Sequence, residues 1–315
     1  MGLFQKVEQT KGGIKVLGYG STGTGKTTFA LTFPNIGAID TEDGMRWYKS
    51  NPNLKHILTT TSADTVEEAL DEIEEELVGK IDTFVLDSET KVYENMQHSA
   101  LNLAERRAKT KGQNADDANI SQREWGKIKL ITKRIQSTKI ALASQGMNVV
   151  SISQEKEIKE KKGDNYVVVG YAPDSAKGIE YDYDVVLRLF TEKNKDGDEV
   201  YKAEVKKDRT GIFNKGDIID NPSYEYWRSV VEGTAKLKQS KIDFKNDIDK
   251  DFTKMKTEGE ELEELLTKFK KSMKELTKEQ QKEVAKFTKD LKIENPLKCD
   301  DVNLMKQLVD FIEEL

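Results

Sequence analysis

A glycine-rich turn followed by a lysine and two threonines is the first group of residues whose types and spacing indicate chemistry. Residues 20–27 read GSTGTGKT and fit the pattern G-x-x-x-x-G-K-[ST] in full. The apolar stretch IKVLGYG precedes this motif and the stretch KTTFALTF, predicted to be helical, follows it, so an ordinary glycine-rich turn is disfavoured. Glycines let successive backbone N–H groups turn towards phosphate oxygens, and the helix start adds the positive end of its dipole. The predicted nucleotide contacts are Gly20, Ser21, Thr22, Gly23, Thr24, Gly25, Lys26, Thr27 and Thr28.

Two side chains of this stretch and one acid further along predict a site for ATP with Mg²⁺. Lys26 would reach the β- and γ-phosphates, and the hydroxyl of Thr27 would bind Mg²⁺. Such an ion also needs a carboxylate at the end of a neighbouring strand. The stretch IDTFVLDS supplies it at Asp87, after an apolar run that would be buried. An aspartate that only caps a turn is the alternative interpretation of Asp87.

Hydrolysis of ATP also needs a group that orients and polarises water. Ser88 follows Asp87 directly, and Glu89 lies two places after it. The better candidate is Glu42, because AIDTE forms a short strand directly after the glycine-rich motif and its helix, and that strand ends in acids. Asp40 and Asp43 are competing assignments, and a solvated loop acid remains an alternative for Glu42.

The order of apolar and polar stretches predicts an α/β core followed by a helical region. Between residue 14 and about 230, strands alternate with helices, which implies a mostly parallel central sheet covered on both faces. Two strands around NKDGD, residues 194–198, form a closing β-hairpin at an antiparallel edge. From about Ser240, Lys and Glu dominate and two sets of apolar residues recur at helical spacing: Ile248, Phe252 and Met255, and then Leu262, Leu265, Leu266, Phe269, Met273 and Leu276. We therefore predict an N-terminal extension (1–13), a core (14–235) and a C-terminal α-helical appendage (240–315).

Composition excludes several classes of protein. The chain has 315 residues and a formal net charge of −6, which argues against a uniformly basic coat for nucleic acid but not against a local basic groove. No stretch is apolar enough for a membrane helix, and the N-terminus has no long apolar core like that of a signal peptide. The single cysteine excludes an internal disulfide and a zinc cluster. We expect a soluble, cytoplasmic protein with no membrane partner.

The pairing of IDTE with VLDS resembles the RecA-like core of P-loop ATPases. With FPNIGAIDTEDG and the later KKDRTG, the pattern resembles phage-encoded RecA-like proteins of AAA type that occur in recombination modules beside single-strand DNA-binding proteins. The resemblance covers about residues 14 to 215. It implies that Glu42 activates water and that Gln154, at the end of VVSISQ, senses the γ-phosphate. It also implies that Arg209 and Lys207 act as fingers in the site of a neighbouring subunit, in a homo-oligomeric ring or filament.

Contact with single-stranded DNA is implied by the same resemblance. It places DNA-facing loops after Asp87 and after Gln154, where this chain has residues 104–124 and 155–178. The candidate DNA contacts are Arg106, Arg107, Lys109 and Lys111 in the first segment and Lys161 and Lys162 in the second. Basic residues track phosphates and aromatic residues stack on bases, but acids dilute the second segment. A solvated, mobile loop is therefore an equally good interpretation. Tyr48 is a weaker candidate for stacking on a base.

Three functions remain open from the sequence. The leading one is a Mg²⁺-dependent ATPase of RecA-like type that acts in phage DNA recombination, repair or replication. It would bind single-stranded DNA together with a single-strand DNA-binding protein or another replication protein. The first alternative is an ATP-dependent accessory switch or loader that docks a helicase or single-strand-binding protein. The second is a P-loop small-molecule kinase, which no recognisable lid or acceptor-binding arginine cluster supports.

Overall fold

The computed structural model describes residues 12–163, 165–233 and 242–315, without the side chains of residues 256–258. The chain divides into two compact units, Met1–Ile242 and Asp243–Leu315, named here the N-terminal and the C-terminal unit. The predicted N-terminal extension lies outside the described residues except for Gly12 and Gly13. The predicted boundary between core and appendage falls at residues 234–241, which are likewise outside them.

A largely parallel sheet forms the centre of the N-terminal unit. Its described strands are β1 (Lys15–Gly20), β2 (Ile36–Asp40), β3 (Leu54–Thr59), β4 (Thr83–Asp87), β5 (Asn148–Lys162), β6 (Asn165–Pro173), β7 (Val185–Lys193), β8 (Glu199–Asp208) and β9 (Ile218–Asp220). They lie in the order β3-β2-β4-β5-β1-β7-β8-β9, and β6 pairs with β5. The strands from β3 to β7 in this order are parallel, whereas β6, β8 and β9 pair antiparallel to their neighbours. The predicted mostly parallel sheet with a closing hairpin is confirmed.

Apolar residues on both faces explain why the central strands are buried. Val16, Val85 and Val150 belong to the core on one face, and Phe84 and Leu86 belong to the core on the other. Such near-continuous apolar runs are typical of parallel strands covered by helices on both sides. Parallel pairing brings the carboxyl ends of β1, β2, β4 and β5 to one edge of the sheet, where α/β proteins bind ligands.

The helices of the N-terminal unit are α1 (Lys26–Ala30), α2 (Ala63–Glu72), α3 (Glu89–Thr110), α4 (Gln122–Ser144) and α5 (Glu225–Gly233). α4 begins with a capping box, in which the Ser121 hydroxyl accepts from the Glu124 N–H and the Glu124 carboxylate accepts from the Ser121 N–H. α1 is shorter than the helix predicted over KTTFALTF. Among the described residues, no helix combines the length and the apolar character needed to cross a bilayer.

The C-terminal unit is helical, as predicted for this region. It consists of α6 (Phe244–Glu275), α7 (Lys278–Asp290) and α8 (Val302–Glu313). Its core contains Phe269, Val284, Met305 and Leu308, and the predicted apolar positions around Leu265 pack against that core. The other predicted apolar set is exposed on the first half of α6 and consists of Ile248, Phe252 and Met255.

Candidate nucleotide-binding site

The glycine-rich motif lies between the end of β1 and the start of α1, as its pattern predicts. Gly23 and Gly25 have φ angles of 75° and 78°, which glycine adopts readily and other residues rarely. A Cβ atom on Gly20 would stand 2.2 Å from the backbone oxygen of Leu189, so this position also requires glycine. The loop closes on itself, because the Thr24 hydroxyl and the Lys26 ammonium both donate to the Ser21 carbonyl, at 2.9 and 2.6 Å.

The predicted nucleotide and metal residues come together around one cavity of about 580 Å³. All nine predicted loop contacts, from Gly20 to Thr28, line it, together with Glu42, Asp87 and Gln154. Burial lowers the pKa of Lys26, and the nearby carboxylates of Asp87 and Glu42 act in the opposite direction. The polar lining, with one lysine inside the glycine-rich turn, suits a polyphosphate.

Thr27 and Asp87 form a direct hydrogen bond at the bottom of the site. The Thr27 hydroxyl donates to Asp87 Oδ2 at 2.6 Å. Asp87 is only 9% exposed, and this burial, helped by the carboxylates of Glu42 and Asp40, raises its pKa to about 6. A hydroxyl and one carboxylate beside a phosphate loop fit Mg²⁺, which takes few protein ligands and completes its shell with phosphate oxygens and water. The Asp87–Ser88 peptide bond is cis.

Glu42 follows β2 and meets Gln154 across the cavity. Gln154 Nε2 donates to Glu42 Oε1 at 3.1 Å, and the Ser88 hydroxyl donates to the same oxygen at 3.4 Å. The two strand ends are joined, because the Ser88 N–H donates to the Thr41 hydroxyl at 2.8 Å. The structure therefore places the Glu42 carboxylate and the Gln154 amide in one hydrogen-bonded group, next to Asp87.

The competing acids have other partners. Asp40 is 2% exposed and accepts from the backbone N–H groups of Glu42 and Met45, so its carboxylate shapes the turn that presents Glu42. Asp43 pairs with Arg46 at 2.9 Å and does not line the cavity. Glu42 is thus the acid of this turn that faces the site.

Glu89 is buried behind the site instead of lining it. Its carboxylate accepts from the Lys139 ammonium and from the Tyr183 hydroxyl, the latter at 2.9 Å. Burial alone would raise the pKa of Glu89, but the charge and hydrogen bond of Lys139 outweigh it, and the pKa lies below its usual value. Burial lowers the pKa of Lys139, against the charge of Glu89. This pair fixes the first turn of α3 to α4.

Three residues that sequence reasoning missed support the site. Thr90 accepts from the Gln154 N–H at 2.9 Å and bonds the Ser153 hydroxyl at 3.0 Å, which ties the end of β5 to α3. Tyr201 on β8 lines the cavity, and its ring lies 2.8 Å from where a Cβ on Gly25 would stand. The third residue is Lys139, which pairs with Glu89 behind the site. No local signal identifies them, because their contacts depend on the order of strands and helices. Tyr48, the weaker sequence candidate, also lines the cavity.

Arg209 and Lys207 do not reach the cavity of their own chain. Lys207 donates to the carbonyls of Glu180 and Tyr181, at 2.9 and 3.1 Å, and Arg209 donates to the Tyr181 carbonyl at 3.3 Å. Arg209 also lies 3.8 Å from Asp184, and its side chain is 57% exposed. A role for them in the site of a neighbouring subunit remains a prediction.

Both segments were expected to be loops, and residues 111–121 of the first do connect α3 to α4, whereas the second segment contains two paired strands, which corrects that part of the expectation. Contact of either segment with DNA stays a prediction. Arg107 and Lys109 lie in the last turn of α3, Arg106 directly before that turn, and Lys111 directly after the helix. Gly112, with a φ angle of 68°, follows Lys111 and ends the helical conformation. Arg107 pairs with the carboxylate of Glu124. In the second segment β5 continues to Lys162 and pairs with β6, which contains three consecutive valines suited to a strand. Lys161 and Lys162 lie at the end of this two-stranded ribbon.

The fold and the site define a P-loop NTPase with a RecA-like core. Residues 12–217 match a family described as an AAA domain, and the chain belongs to that family. Among solved structures the chain is similar to a RadB recombinase, with 13% identity, 67% of this chain and 87% of that chain covered, and a TM-score of 0.42. It is also similar to the flagellar accessory protein FlaH from Methanocaldococcus jannaschii, with 11% identity, coverage of 67% and 85%, and a TM-score of 0.36. No curated protein matches the sequence.

Proposed function

We propose that the protein is a Mg²⁺-dependent ATPase that acts in phage DNA recombination, repair or replication, in the cytoplasm of the host. ATP hydrolysis is supported above all by the hydrogen bond of 3.1 Å between Gln154 and Glu42, both of which line the cavity beside the glycine-rich loop. A nucleotide-binding protein without hydrolysis needs no carboxylate there. A carboxylate held by an amide, beside the expected position of the γ-phosphate, is suited to orient water.

The roles of the chain's own residues follow from their positions. The glycine-rich turn and Lys26 bind the phosphates, and Lys26 offsets their charge. Glu42 holds the attacking water and takes its proton, while Gln154 orients the Glu42 carboxylate and contacts the terminal phosphate. Thr27 and Asp87 would hold Mg²⁺, which would supply positive charge that offsets the charge of the phosphate oxygens.

Oligomerisation completes the site in this proposal. Arg209 is exposed and lies outside the cavity of its own chain, as a residue that acts on a neighbouring subunit must be. Lys207 beside it holds the turn that contains Tyr181. An arginine supplied across an interface stabilises charge in the transition state. The homo-oligomer, a ring or a filament, is therefore part of the proposed function.

Single-stranded DNA is the proposed macromolecular ligand. β5 begins inside the sheet, passes Gln154 and continues into the β5–β6 ribbon, residues 155–173. The ribbon ends with Lys161 and Lys162, and Tyr166 opposite Lys161 is 70% exposed. Lysines that track phosphates beside an exposed aromatic ring suit a single strand. Because Gln154 and the ribbon lie on the same strand, β5, DNA contact is in a position to influence the γ-phosphate site. A single-strand DNA-binding protein is the proposed partner.

A second candidate is an ATP-dependent switch or loader that docks a helicase or single-strand-binding protein. The exposed apolar positions of α6, Ile248, Phe252 and Met255, favour it, because a helix with an uncovered apolar face suits a protein contact. This function needs ATP binding but no acceleration of ATP turnover by DNA.

The test is steady-state ATP turnover with and without single-stranded DNA, first at low salt because phosphate contacts weaken as salt rises. We expect DNA to bind in the presence of ATP and to raise turnover, and we expect Lys26→Ala to be inactive in both conditions. Absence of both binding and stimulation, with a single-strand-binding protein also present, would leave the switch function. Transfer of phosphate to a nucleoside would instead establish a kinase.

A further inference from the structure

A groove of about 570 Å³ lies on the N-terminal unit, away from the nucleotide cavity. α3, α4 and the segment 175–182, which leads from β6 to β7, form it. The buried side chains of Ile128 and Ile179 and the exposed rings of Trp125 and Tyr181 line it. Trp125 is 42% exposed and Tyr181 is 74% exposed. Two exposed aromatic rings beside buried aliphatic side chains form the kind of apolar surface that marks a binding site.

A buried hydroxyl without a partner lies at the inner end of this groove. Ser175 is 4% exposed, and within the described chain its Oγ has no hydrogen-bond partner. It lines a small inner recess of about 10 Å³ that shares Gln136, Ala176 and Ile179 with the groove. Buried polar groups are normally paired, because an unpaired one loses its hydration without compensation. A recess of this size admits no more than about one water molecule, so a ligand in the groove would reach Ser175 only through water.

The rim of the groove is positively charged. Lys129, Lys133 and Lys177 line it and are exposed, and in the described part of the chain none of them forms an ion pair. Asp182 is the acid among the lining residues. Three lysines against one aspartate favour a ligand that carries carboxylates.

We propose that this groove binds a short segment of a partner protein that carries one or two large apolar side chains between acidic residues. The apolar side chains would contact Trp125 and Ile128, and the carboxylates would face the lysine rim. Buried aliphatic side chains, Ile128 and Ile179, also line the groove and suit an apolar peptide side chain, and competition with an oligonucleotide tests the alternative of a single strand.

The groove is connected to the residues of the proposed ATPase. The N–H of Asp174, next to Ser175, donates to the Gln154 carbonyl at 2.7 Å. At the other end of the segment, the Tyr181 carbonyl accepts from Lys207 and Arg209. A bound partner would therefore contact the stretch that lies between Gln154 and the proposed fingers. An effect of the bound partner on ATP hydrolysis rests on the proposed function, whereas binding of the partner to the groove does not.

The experiment selects a displayed library of random dodecapeptides on the nucleotide-free wild-type protein. Enriched peptides are then labelled with fluorescein and titrated by anisotropy. We expect the enriched sequences to combine aromatic or large aliphatic residues with Asp or Glu. Trp125→Ala and the double variant Lys129→Glu/Lys133→Glu should each weaken binding by about tenfold or more, as expected for central contacts of an interface. These positions are exposed, so the variants should fold.

Matched controls lie on the same helix outside the groove. Leu130→Ala and Lys127→Glu change exposed residues of α4 and should leave peptide affinity unchanged. Failure to enrich any such peptide, or equal affinity of Trp125→Ala and wild type, would overturn the proposal. Displacement of the peptides by a thymidine oligonucleotide would assign the groove to nucleic acid instead. A change in oligomeric mass in Trp125→Ala would assign it to a second copy of the chain. Because no nucleotide is present, a failure here is distinct from a failure of the ATPase proposal.

Discussion

Lys139→Met is the substitution from which we expect the largest loss of stability in the N-terminal unit. The side chain of Lys139 is 1% exposed and that of Glu89 is 7% exposed, and the two form a buried ion pair. Methionine keeps most of the aliphatic volume of lysine, so packing changes little and the charge is what is lost. Glu89 would then keep neutral donors such as Tyr183 and Gln136, at 2.9 and 3.4 Å. Removing one partner of a buried pair typically costs about 3–5 kcal/mol.

The loss should depend on pH in a defined direction. In wild type the charge of Lys139 holds the pKa of Glu89 below its usual value. Without that charge, burial raises the pKa of Glu89 above its value in the unfolded chain, so the folded variant binds a proton more readily. Stability of the variant then falls as pH rises through the raised pKa. Lys139→Met should therefore be closer to wild type at pH 5 than at pH 8.

The assay is equilibrium unfolding in urea, followed by tryptophan fluorescence, because Trp227 is fully buried in this unit. The double variant Lys139→Met/Glu89→Gln should recover a large part of the loss, since replacing both charges of a buried pair is often nearly neutral. Lys127→Met, an exposed change on the same helix, should stay within about 0.5 kcal/mol of wild type. A loss below about 1 kcal/mol for Lys139→Met, or a double variant as unstable as the single one, would refute the reasoning.

The remaining predictions concern the nucleotide site and its partners. Because the pKa of Asp87 is raised to about 6 and a metal needs the ionised carboxylate, affinity for Mg-ATP should fall as pH drops below about 6. Titration calorimetry checks this, and a pH-independent affinity would contradict it. Arg209→Ala should bind ATP normally but hydrolyse it poorly, and mixing it with Lys26→Ala should restore some turnover. A monomer with full activity would exclude this. Lys161→Glu/Lys162→Glu should weaken binding of single-stranded DNA at every sequence and flatten its salt dependence, as a filter-binding titration would detect.

The sequence predicts the parts of the site that lie at strand ends. GSTGTGKT, IDTE, VLDS and VVSISQ each follow an apolar run, and parallel strands bring such ends to one edge of the sheet. The cavity indeed gathers Lys26, Glu42, Asp87 and Gln154. The local sequence pattern is therefore enough to predict a site residue when that residue lies at the end of a single strand.

The contacts that the sequence does not reveal are those that cross between elements. Lys139 belongs to a helix rich in lysine, and only the packing of α4 on α3 makes this one pair with Glu89. Tyr201 reaches the glycine-rich loop because the β7–β8 hairpin lies beside β1 in the sheet, a neighbourhood that the sequence leaves open. The ribbon was expected as a loop from its place in the chain, whereas the valines of β6 favour a strand.

The central claim is that Glu42 activates water for ATP hydrolysis, and the ATP turnover of Glu42→Gln tests it most directly. Glutamine keeps the size of the side chain and can still bond Gln154, but it cannot take a proton from water. The variant should bind Mg-ATP with the affinity of wild type in a calorimetric titration. Its ATP turnover should fall by ~10²-fold or more, the contribution expected of a positioned acid–base group. Normal turnover of Glu42→Gln, with loss of activity in Glu89→Gln, would contradict the account.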